Sequence, residues 1–277
     1  MNNIAQFKVN NQGFWSGLLS KKSGKEIAPS PFFIYPLSKK HASQMAALSK
    51  EIYRHLKKEE QCYIHQHQAD YYQNIFHQKD ITFIGVFHQD KLIAMSYLRT
   101  CRSQEVFQEE IPCFQGQTFL KQEEVATLGG DCVHPEFRGN NLNQLMVEFR
   151  LEMAKEKKCE AAYSIIDQHN HWNIGPYFKN GFKMVSYGID PSDGGKIAIM
   201  RFRNEKIQRI GNMILVPVQD IKTINRLMSC DFIGSSYDTQ TRKIMFTRPA
   251  EPQHIKSDHI LRKIRRLREK IMERQYV

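Results

Sequence analysis

The sequence predicts an α/β (α+β) protein in which strands and helices alternate around one core. A β-propensity run, Val125–Val133, turns tightly into a helical pattern that begins at Leu142. A second strand-like run, Ala161–Ile166, leads into another helical stretch, and pairs of strand-like runs joined by short turns lie on either side. With 277 residues and 41% hydrophobic composition, the chain can bury a sizeable core, which excludes wholesale disorder.

The first third of the chain predicts an arm, a strand, two helices and a hairpin. Residues 1–31 are polar and end in a Pro-Ser-Pro run, so we expect an arm and assign it no regular structure. Ser38 is a favourable N-cap for a helix whose apolar stripe begins at Met45. The expected elements are, in order, the strand Phe32–Leu37, a helix after Ser38, a helix over about 66–78, and the paired strands Ile81–His88 and Lys91–Thr100.

The last third predicts a hairpin and an appended segment. A polar connection over 103–122 precedes the central strand, and connections of that length are often functional. The hairpin comprises Val185–Ile189 and Lys196–Arg203. The appended segment, 204–250, has βαββ order, with strands at Met213–Val218, Phe232–Ser236 and Lys243–Thr247 and a helix at Gln219–Ser229. Residues 251–277 then form a basic amphipathic helix.

The corner between Val133 and Met146 predicts a site for phosphate. A strand that turns directly into a helix leaves the first helical N–H groups without partners, and the helix dipole adds positive potential there. A phosphate-bearing ligand is therefore expected at residues 138–143. The Walker-type G-x-x-x-x-G-K-[ST] loop and the dinucleotide-binding G-x-G-x-x-G loop are both missing from the sequence.

This corner resembles the acyl-coenzyme A loop of the GNAT superfamily of N-acetyltransferases, V-x-P-x-x-[RQ]-x-x-G-x-[GA]. Val133, Pro135, Arg138 and Gly139 match the pattern, whereas Asn141 and Asn143 stand at the two later glycine positions. Asn is the non-glycine residue that best tolerates left-handed backbone angles, so the loop can keep its shape. Asn side chains would also narrow the approach to a diphosphate.

A second signature lies about thirty residues downstream. The run DQHNHWNIGPYFKNGF resembles the N-x(6)-Y-x-x-x-G-F ending of the superfamily's fourth helix, with Asn170, Tyr177, Gly181 and Phe182 in the matching positions. Gly181 is expected to stop the helix and Phe182 to begin the next strand in the core. Two ordered signatures imply the GNAT fold over residues 32–203, a central mixed, mostly antiparallel twisted sheet flanked by helices.

The resemblance implies acetyl-CoA as cosubstrate and a direct ternary complex without an acyl-enzyme. The strand around Asp131 to Val133 would pair with the pantetheine arm, and Gly129-Gly130 just upstream could form a bulge that admits it. Asn170 would contact the cofactor, although a helix N-cap role is equally consistent. The expected cofactor-binding residues are Cys132, Val133, Arg138, Gly139, Asn140, Asn141, Leu142, Asn143 and Asn170.

Tyr177 is the expected general acid, because it stands where a family phenol protonates the leaving thiolate. Packing under the helix is its alternative role. The general base stays open between Asp131, Glu124 and His134, and for any one of them a buried structural or solvent-exposed role is the alternative that we favour. Cys132 has no His/Asn partners in the sequence pattern and is interpreted as a small strand residue.

Cysteines and histidines predict neither a disulfide framework nor a metal site. The six cysteines are scattered without a C-x-x-C pair, which suits reduced thiols in a cytoplasmic protein. Each of the pairs His65/His67 and His169/His171 has its members two positions apart, a spacing that puts the rings on different helix faces. The sequence contains no run of eighteen apolar residues and no apolar signal core, so no transmembrane segment is expected.

The charge of the chain does not identify the acceptor substrate. The net charge is +11. The basic terminal helix suits nucleic acid, an anionic membrane surface or an acidic partner, or it docks its Ile/Leu stripe on this domain or on a second copy in a homodimer. We expect an N-acetyltransferase that acts on a small amine or an amino-acid-like metabolite. The alternatives are acetylation of a protein or RNA-linked amine docked by the basic C-terminus, and a non-catalytic acyl-CoA-binding module.

Overall fold

A computed structural model describes residues 8–9, 15–64, 66–102, 124–189, 196–203 and 209–249. Within these ranges the strands form one sheet in the order β1-β2-β3-β4-β5-β6-β7-β9-β8-β11-β12-β10. The strands are β1 Lys8–Val9, β2 Trp15–Lys22, β3 Lys25–Pro36, β4 Ile81–His88, β5 Lys91–Arg102, β6 Glu124–Val133, β7 Ala161–Asp167, β8 Lys183–Ile189, β9 Lys196–Phe202, β10 Arg209–Pro217, β11 Ile233–Asp238 and β12 Lys243–Pro249. The α-helices are α1 Ala42–His55, α2 Ala69–Ile75, α3 Leu142–Glu156, α4 His171–Lys179 and α5 Ile221–Ser229.

The sheet is mixed, as predicted, and mostly antiparallel. Strands β6 and β7 pair in parallel, whereas the other strand pairs of the described residues are antiparallel. The predicted β4–β5 hairpin is confirmed, and its two turn residues, Gln89 and Asp90, both have positive φ. Two left-handed residues in a two-residue turn match the twist of the strands that they join.

Helices cover both faces of the sheet. Leu92 packs in a cluster with α1 and α2, and its neighbour Ile93 packs with α3, because successive strand residues point to opposite faces. The predicted apolar stripe of α3 is confirmed, with Leu142, Leu145 and Met146 all buried. The site therefore lies in a sheet whose two faces are fixed by different helices.

The N-terminal region differs from the predicted arm. Residues 15–31 belong to the β2–β3 hairpin, and the strand expected to begin at Phe32 begins at Lys25. Leu19 and Phe32 are buried in the cluster that contains α3, so this hairpin is part of the core. Its polar residues are mostly exposed and mask the strand pattern in the sequence.

The predicted βαββ segment is present and extends the same sheet. Strand β11 pairs with β8 at Gly234 and Met184, and Val216, Ile224 and Phe246 join the cluster that holds α4. The predicted terminal helix (251–277) and the connection 103–122 lie outside the described residues, as do parts of the N-terminal arm.

Candidate active site

The centre of the sheet is opened by a bulge in β6. Met95 pairs with Cys132 and Tyr97 with Gly129, so two steps along β5 face three along β6. Gly130 takes up the extra residue with φ +66°. The Gly129-Gly130 bulge expected from the sequence is therefore observed, and it turns the end of β6 away from regular pairing.

The parallel pairing of β6 with β7 ends before this bulge. Val125, Ala126 and Thr127 pair with residues 161–163, and no register pair follows along the rest of the two described strands. Beyond that point, Asp131 to Val133 on β6 and Ser164 to Asp167 on β7 line opposite sides of a cleft. The two strands thus leave a gap with free backbone edges at the centre of the sheet.

Helix α3 begins at the mouth of this gap. Arg138 closes a short 3-10 turn, Gly139 follows with φ +85°, and Asn141 is the N-cap with φ +58°. The left-handed angle expected of Asn141 is observed, whereas Asn143 lies in the first turn of the helix. The first amides of α3 have no carbonyl partners within the helix and face this mouth, which is the arrangement that binds anionic oxygens.

A cleft of about 1330 Å³ connects these features. One part lies between β6, β7 and the N-termini of α3 and α4, and the other lies under α1 and α2. The lining includes eight of the nine predicted cofactor-binding residues, all except Asn140: Cys132, Val133, Arg138, Gly139, Asn141, Leu142, Asn143 and Asn170. A single cleft therefore joins the anion-binding corner to the opened strands.

The Asn140 side chain holds the loop in place, while its expected contact with the cofactor through the backbone amide stays a prediction. Its Oδ1 accepts from the amides of Ser20 (2.9 Å) and Lys21 (3.0 Å). Its Nδ2 donates to the carbonyls of Lys21 (2.8 Å) and Phe137 (2.9 Å). Its side chain thus ties the loop to the β2–β3 hairpin, and it is not among the residues lining the cleft.

Asp131 and Tyr177 meet beside the cleft. The Tyr177 hydroxyl donates to Asp131 Oδ2 at 2.7 Å, and Tyr177 is fully buried. Arg150 Nη2 lies 2.5 Å from Asp131 Oδ1, and their side chains are 0% and 2% exposed. Asp131 lines the cleft, whereas Tyr177 lies behind it. The predicted acid and one of the predicted bases are therefore hydrogen-bonded to each other.

Arg150 is a site residue that the sequence analysis missed. Its five N–H donors have one acceptor each: Nε donates to Met146 O, Nη1 to the carbonyls of Tyr97 and Gly129, and Nη2 to Asp131 and, at 3.5 Å, to Tyr177. Arg150 falls four residues after Met146 on the buried face of α3. A charged residue on that apolar face was the signal that could have identified it.

The pKa values of Asp131, Arg150 and Tyr177 are shifted because all three side chains are buried together. Burial raises the pKa of Asp131 above its ordinary value, and the Arg150 guanidinium opposes the rise. Burial alone would lower the pKa of Arg150, but the charge of Asp131 outweighs it and the pKa is raised. Burial also raises the pKa of Tyr177 far above its ordinary value, so the phenol remains a proton donor at neutral pH.

The other candidate bases lie elsewhere. Glu124 is exposed at the opposite end of β6, seven residues or about 23 Å along the strand from Asp131, and sits 3.9 Å from Arg102. His134 is buried as the N-cap of the 3-10 turn, where its Nδ1 accepts from the Glu136 amide. Neither residue lines the cleft. The geometry therefore brings Asp131, and not Glu124, to the site.

The Cys132 thiol is poorly suited to nucleophilic attack. Burial raises its pKa to about 12, and the charge of Asp131 adds to the rise. The thiolate is the reactive form, so this cysteine stays inert at neutral pH. Among the residues that the structure describes, no cluster of three or more His, Cys, Asp or Glu side chains is arranged to hold a metal ion.

The comparison with models of known protein families gives a match. Residues 49–182 match the model of the acetyltransferase (GNAT) family. No curated protein matches the chain. Similar solved structures include the GNAT domain of S. lividans PAT, with 11% identity, 68% of this chain and 96% of that chain covered, and a TM-score of 0.48.

Two further solved structures have similar sequence identities, coverages and TM-scores. The PaiA N-acetyltransferase of Thermoplasma acidophilum, in complex with coenzyme A, has 18% identity and a TM-score of 0.45, with 62% of this chain and 98% of that chain covered. Arabidopsis thaliana NAA60, in complex with a bisubstrate analogue, has 12% identity and a TM-score of 0.47, with 62% and 97% covered.

The family match and the opened mixed sheet identify residues 49–182 as a domain of the GNAT acetyltransferase class. The match covers just under half of the chain, and the β2–β3 hairpin and the segment after β9 extend the matched domain on both sides. In the described ranges, none of the helices is both long enough and apolar enough to cross a bilayer.

Proposed function

We propose that this protein is an N-acetyltransferase that moves an acetyl group from acetyl-CoA to a primary amine by direct attack in a ternary complex. The carrying observation is the gap between β6 and β7, which begins after Thr127 and Tyr163 and has the N-terminus of α3 at its mouth. A flexible amide-bearing arm fits the free strand edges, and a diphosphate fits the helix amides. These two requirements together match coenzyme A.

The residues present suit each part of that cosubstrate. The amides of Gly139 to Asn143 offer donors for the diphosphate, whereas the Arg138 amide donates to the Pro135 carbonyl. The Arg138 side chain adds a positive charge. Gly139 has φ +85°, and because it has no side chain the ligand can lie close to the loop backbone there. Asn143 Oδ1 is buried in the cleft wall without a partner among the described residues, so a donor on the ligand would satisfy it.

Asp131 and Tyr177 supply the proton transfers. The Asp131 carboxylate accepts a proton from the acceptor ammonium, directly or through water, which leaves a neutral amine to attack the thioester carbonyl. When the carbon–sulfur bond breaks, Tyr177 gives its proton to the departing thiolate and regains one from Asp131, to which it is hydrogen-bonded at 2.7 Å. This step requires the buried Tyr177 hydroxyl to move from behind Asp131 into the cleft. The amine nitrogen gives up a second proton to water as the amide forms. Of the two protons that the ammonium loses, one therefore ends on the thiol and one in solvent, and the enzyme returns to its starting state.

The acceptor that we propose is a small amine or an amino-acid-like metabolite. The part of the cleft under α1 and α2 is lined mainly by aromatic and aliphatic side chains, among them Ile52, Tyr71, Tyr72 and Phe83. Burial raises the pKa of Tyr72 to about 12, so its hydroxyl stays a neutral hydrogen-bonding group there. A walled cleft of this kind suits a compact acceptor better than an extended polymer.

The test pairs calorimetric titration of acetyl-CoA with a free-thiol assay over a panel of amines. Binding with amine-dependent thiol release supports the proposal, and tight binding without transfer to any amine would identify a non-catalytic module. Salt-sensitive retention of RNA that disappears when residues 256–277 are deleted would favour a macromolecular acceptor. Failure of the folded protein to bind acetyl-CoA would refute the assignment.

A further inference from the structure

The cleft continues past the N-terminus of α3 to a surface that the acyl-transfer chemistry does not use. Asn143 of α3 donates to Asn173 of α4, so the first turns of these two helices lie side by side. The continuation is lined by one face of α4 and by the turn between β11 and β12. We call these lining residues the α4–turn surface: Trp172, Gly175, Pro176, Lys179, Tyr237, Thr239, Gln240 and Arg242.

The β11–β12 turn is held firmly against α4. The Tyr237 ring stacks on Phe178 with centroids 6.2 Å apart, and a side chain at Gly175 would meet Tyr237 at 3.6 Å. The Asp238 carboxylate accepts from the Gln240 amide (2.9 Å) and from the amide and hydroxyl of Thr241. The negative charge of Asp238 is therefore engaged by the turn itself.

This fixed turn places a cation over an exposed ring. The Arg242 guanidinium carbon lies 5.7 Å from the centroid of the Trp172 ring. Trp172 is 69% exposed, which is unusual for a large apolar side chain beside a cleft. A flat aromatic face combined with a guanidinium is suited to a nucleobase and a phosphate.

We propose that Trp172 and Arg242 bind the adenosine 3′-phosphate end of the coenzyme, with the indole stacking on the adenine and the guanidinium pairing with the 3′-phosphate. This inference rests on the proposed function. If the diphosphate binds the α3 amides and the pantetheine arm enters the gap between β6 and β7, the adenosine extends from the diphosphate in the opposite direction, toward α4. Arg242 lies outside residues 49–182, so the segment after β9 would complete a site of the matched domain.

The experiment compares CoA with 3′-dephospho-CoA by calorimetry in wild type, Arg242→Gln and Trp172→Ala. The control is Arg226→Gln, since Arg226 is an exposed arginine of the same segment outside the cleft. Loss of a charge-assisted contact predicts that Arg242→Gln binds CoA about tenfold more weakly and 3′-dephospho-CoA as wild type does. Trp172→Ala should weaken both ligands alike, and the control should change neither.

The outcomes separate this inference from the proposed function. If wild type binds both ligands and Arg242→Gln keeps the wild-type ratio of their affinities, the 3′-phosphate assignment is overturned while acyl transfer stands. If wild type binds neither ligand, both fail. Arg242 is exposed and its carbonyl, not its side chain, anchors Val218, so a melting curve should show Arg242→Gln folded.

Discussion

The Arg150 guanidinium lies 2.5 Å from the Asp131 carboxylate, and both side chains are almost fully shielded from solvent. The same guanidinium donates to the carbonyls of Tyr97 and Gly129, which flank the β6 bulge. One side chain of α3 therefore holds both the opened backbone and the carboxylate that we assign to proton transfer. The position of the candidate base depends on a helix residue that does not line the cleft.

Removing either partner of this pair should destabilise the fold strongly. Asp131→Asn or Arg150→Met leaves one buried charge unpaired, at a cost of about 3–5 kcal/mol each. The double variant Asp131→Asn/Arg150→Met should lose much less free energy of unfolding than the two single variants lose together. We expect urea denaturation to give a coupling free energy of about 2–3 kcal/mol for the pair. The exposed Glu51–Arg54 pair provides a control double-mutant cycle, in which we expect a coupling free energy of about 0.5 kcal/mol or less. Equal couplings in the two cycles would contradict this account.

Tyr177→Phe should slow turnover and leave binding of acetyl-CoA almost unchanged. Loss of a general acid lowers kcat about 10²–10⁴-fold, and the ring itself still packs against Phe182. Steady-state kinetics and calorimetry on the same preparation measure the two effects. Full turnover in this variant would remove Tyr177 from the mechanism.

The pH profile of Tyr177→Phe should also move. The charged and polar groups facing Asp131 are Arg150 from α3 and Tyr177 and Asn173 from α4, and each lowers the pKa of Asp131 against the rise caused by burial. The carboxylate is the active form of a base, so loss of the Tyr177 hydrogen bond raises this pKa and shifts the acidic limb of kcat to higher pH. An unshifted limb would mean that another group takes the amine's proton.

The sequence predicted the parts of the site that depend on local chain chemistry. Gly181 has φ +84° directly after α4, and Phe182 is fully buried, as expected of a helix stop followed by a core residue. Asn141 adopts the left-handed angle for which asparagine is suited. These features are set by neighbours within a few residues, so the pattern of residue types suffices to predict them.

Long-range partners escaped the sequence analysis for a physical reason. Asn140 bonds to Lys21, 119 residues away, and neither residue type specifies the other. A charge on the apolar face of α3 marks Arg150 as unusual, but the sequence does not say that Asp131 and the bulge carbonyls are its partners. A polar side chain's role depends on the partner that the fold brings to it, and periodicity does not encode that partner.

Cys132→Ala should retain activity, and no acyl-cysteine should accumulate. The pKa of Cys132, raised to about 12 by burial, keeps the thiol protonated at neutral pH and unavailable for attack on a thioester. Intact-protein mass spectrometry after acetyl-CoA is mixed with the enzyme checks for the adduct. The exposed Cys230 is the internal control for thiol reactivity, since alkylating reagents should modify it before the buried Cys132. An acetylated Cys132, or an inactive Cys132→Ala that folds normally, would indicate a covalent mechanism.

Gly130→Ala tests whether the bulge opens the cleft. Gly130 has φ +66°, and a Cβ there would lie 2.8 Å from the Tyr97 ring, so this variant suffers both backbone strain and a steric clash. Gly24 supplies the matched control, because it has φ +75° and nothing within 4 Å of an added Cβ. Gly24→Ala should lose only the strain of a left-handed alanine, about 1–2 kcal/mol in thermal or urea unfolding. Gly130→Ala should lose more than this and, at a temperature where it is folded, bind acetyl-CoA more weakly, because moving Tyr97 displaces the strand edge offered to the pantetheine arm. Equal losses of stability, with binding intact in both variants, would show that the bulge geometry is not what admits the ligand.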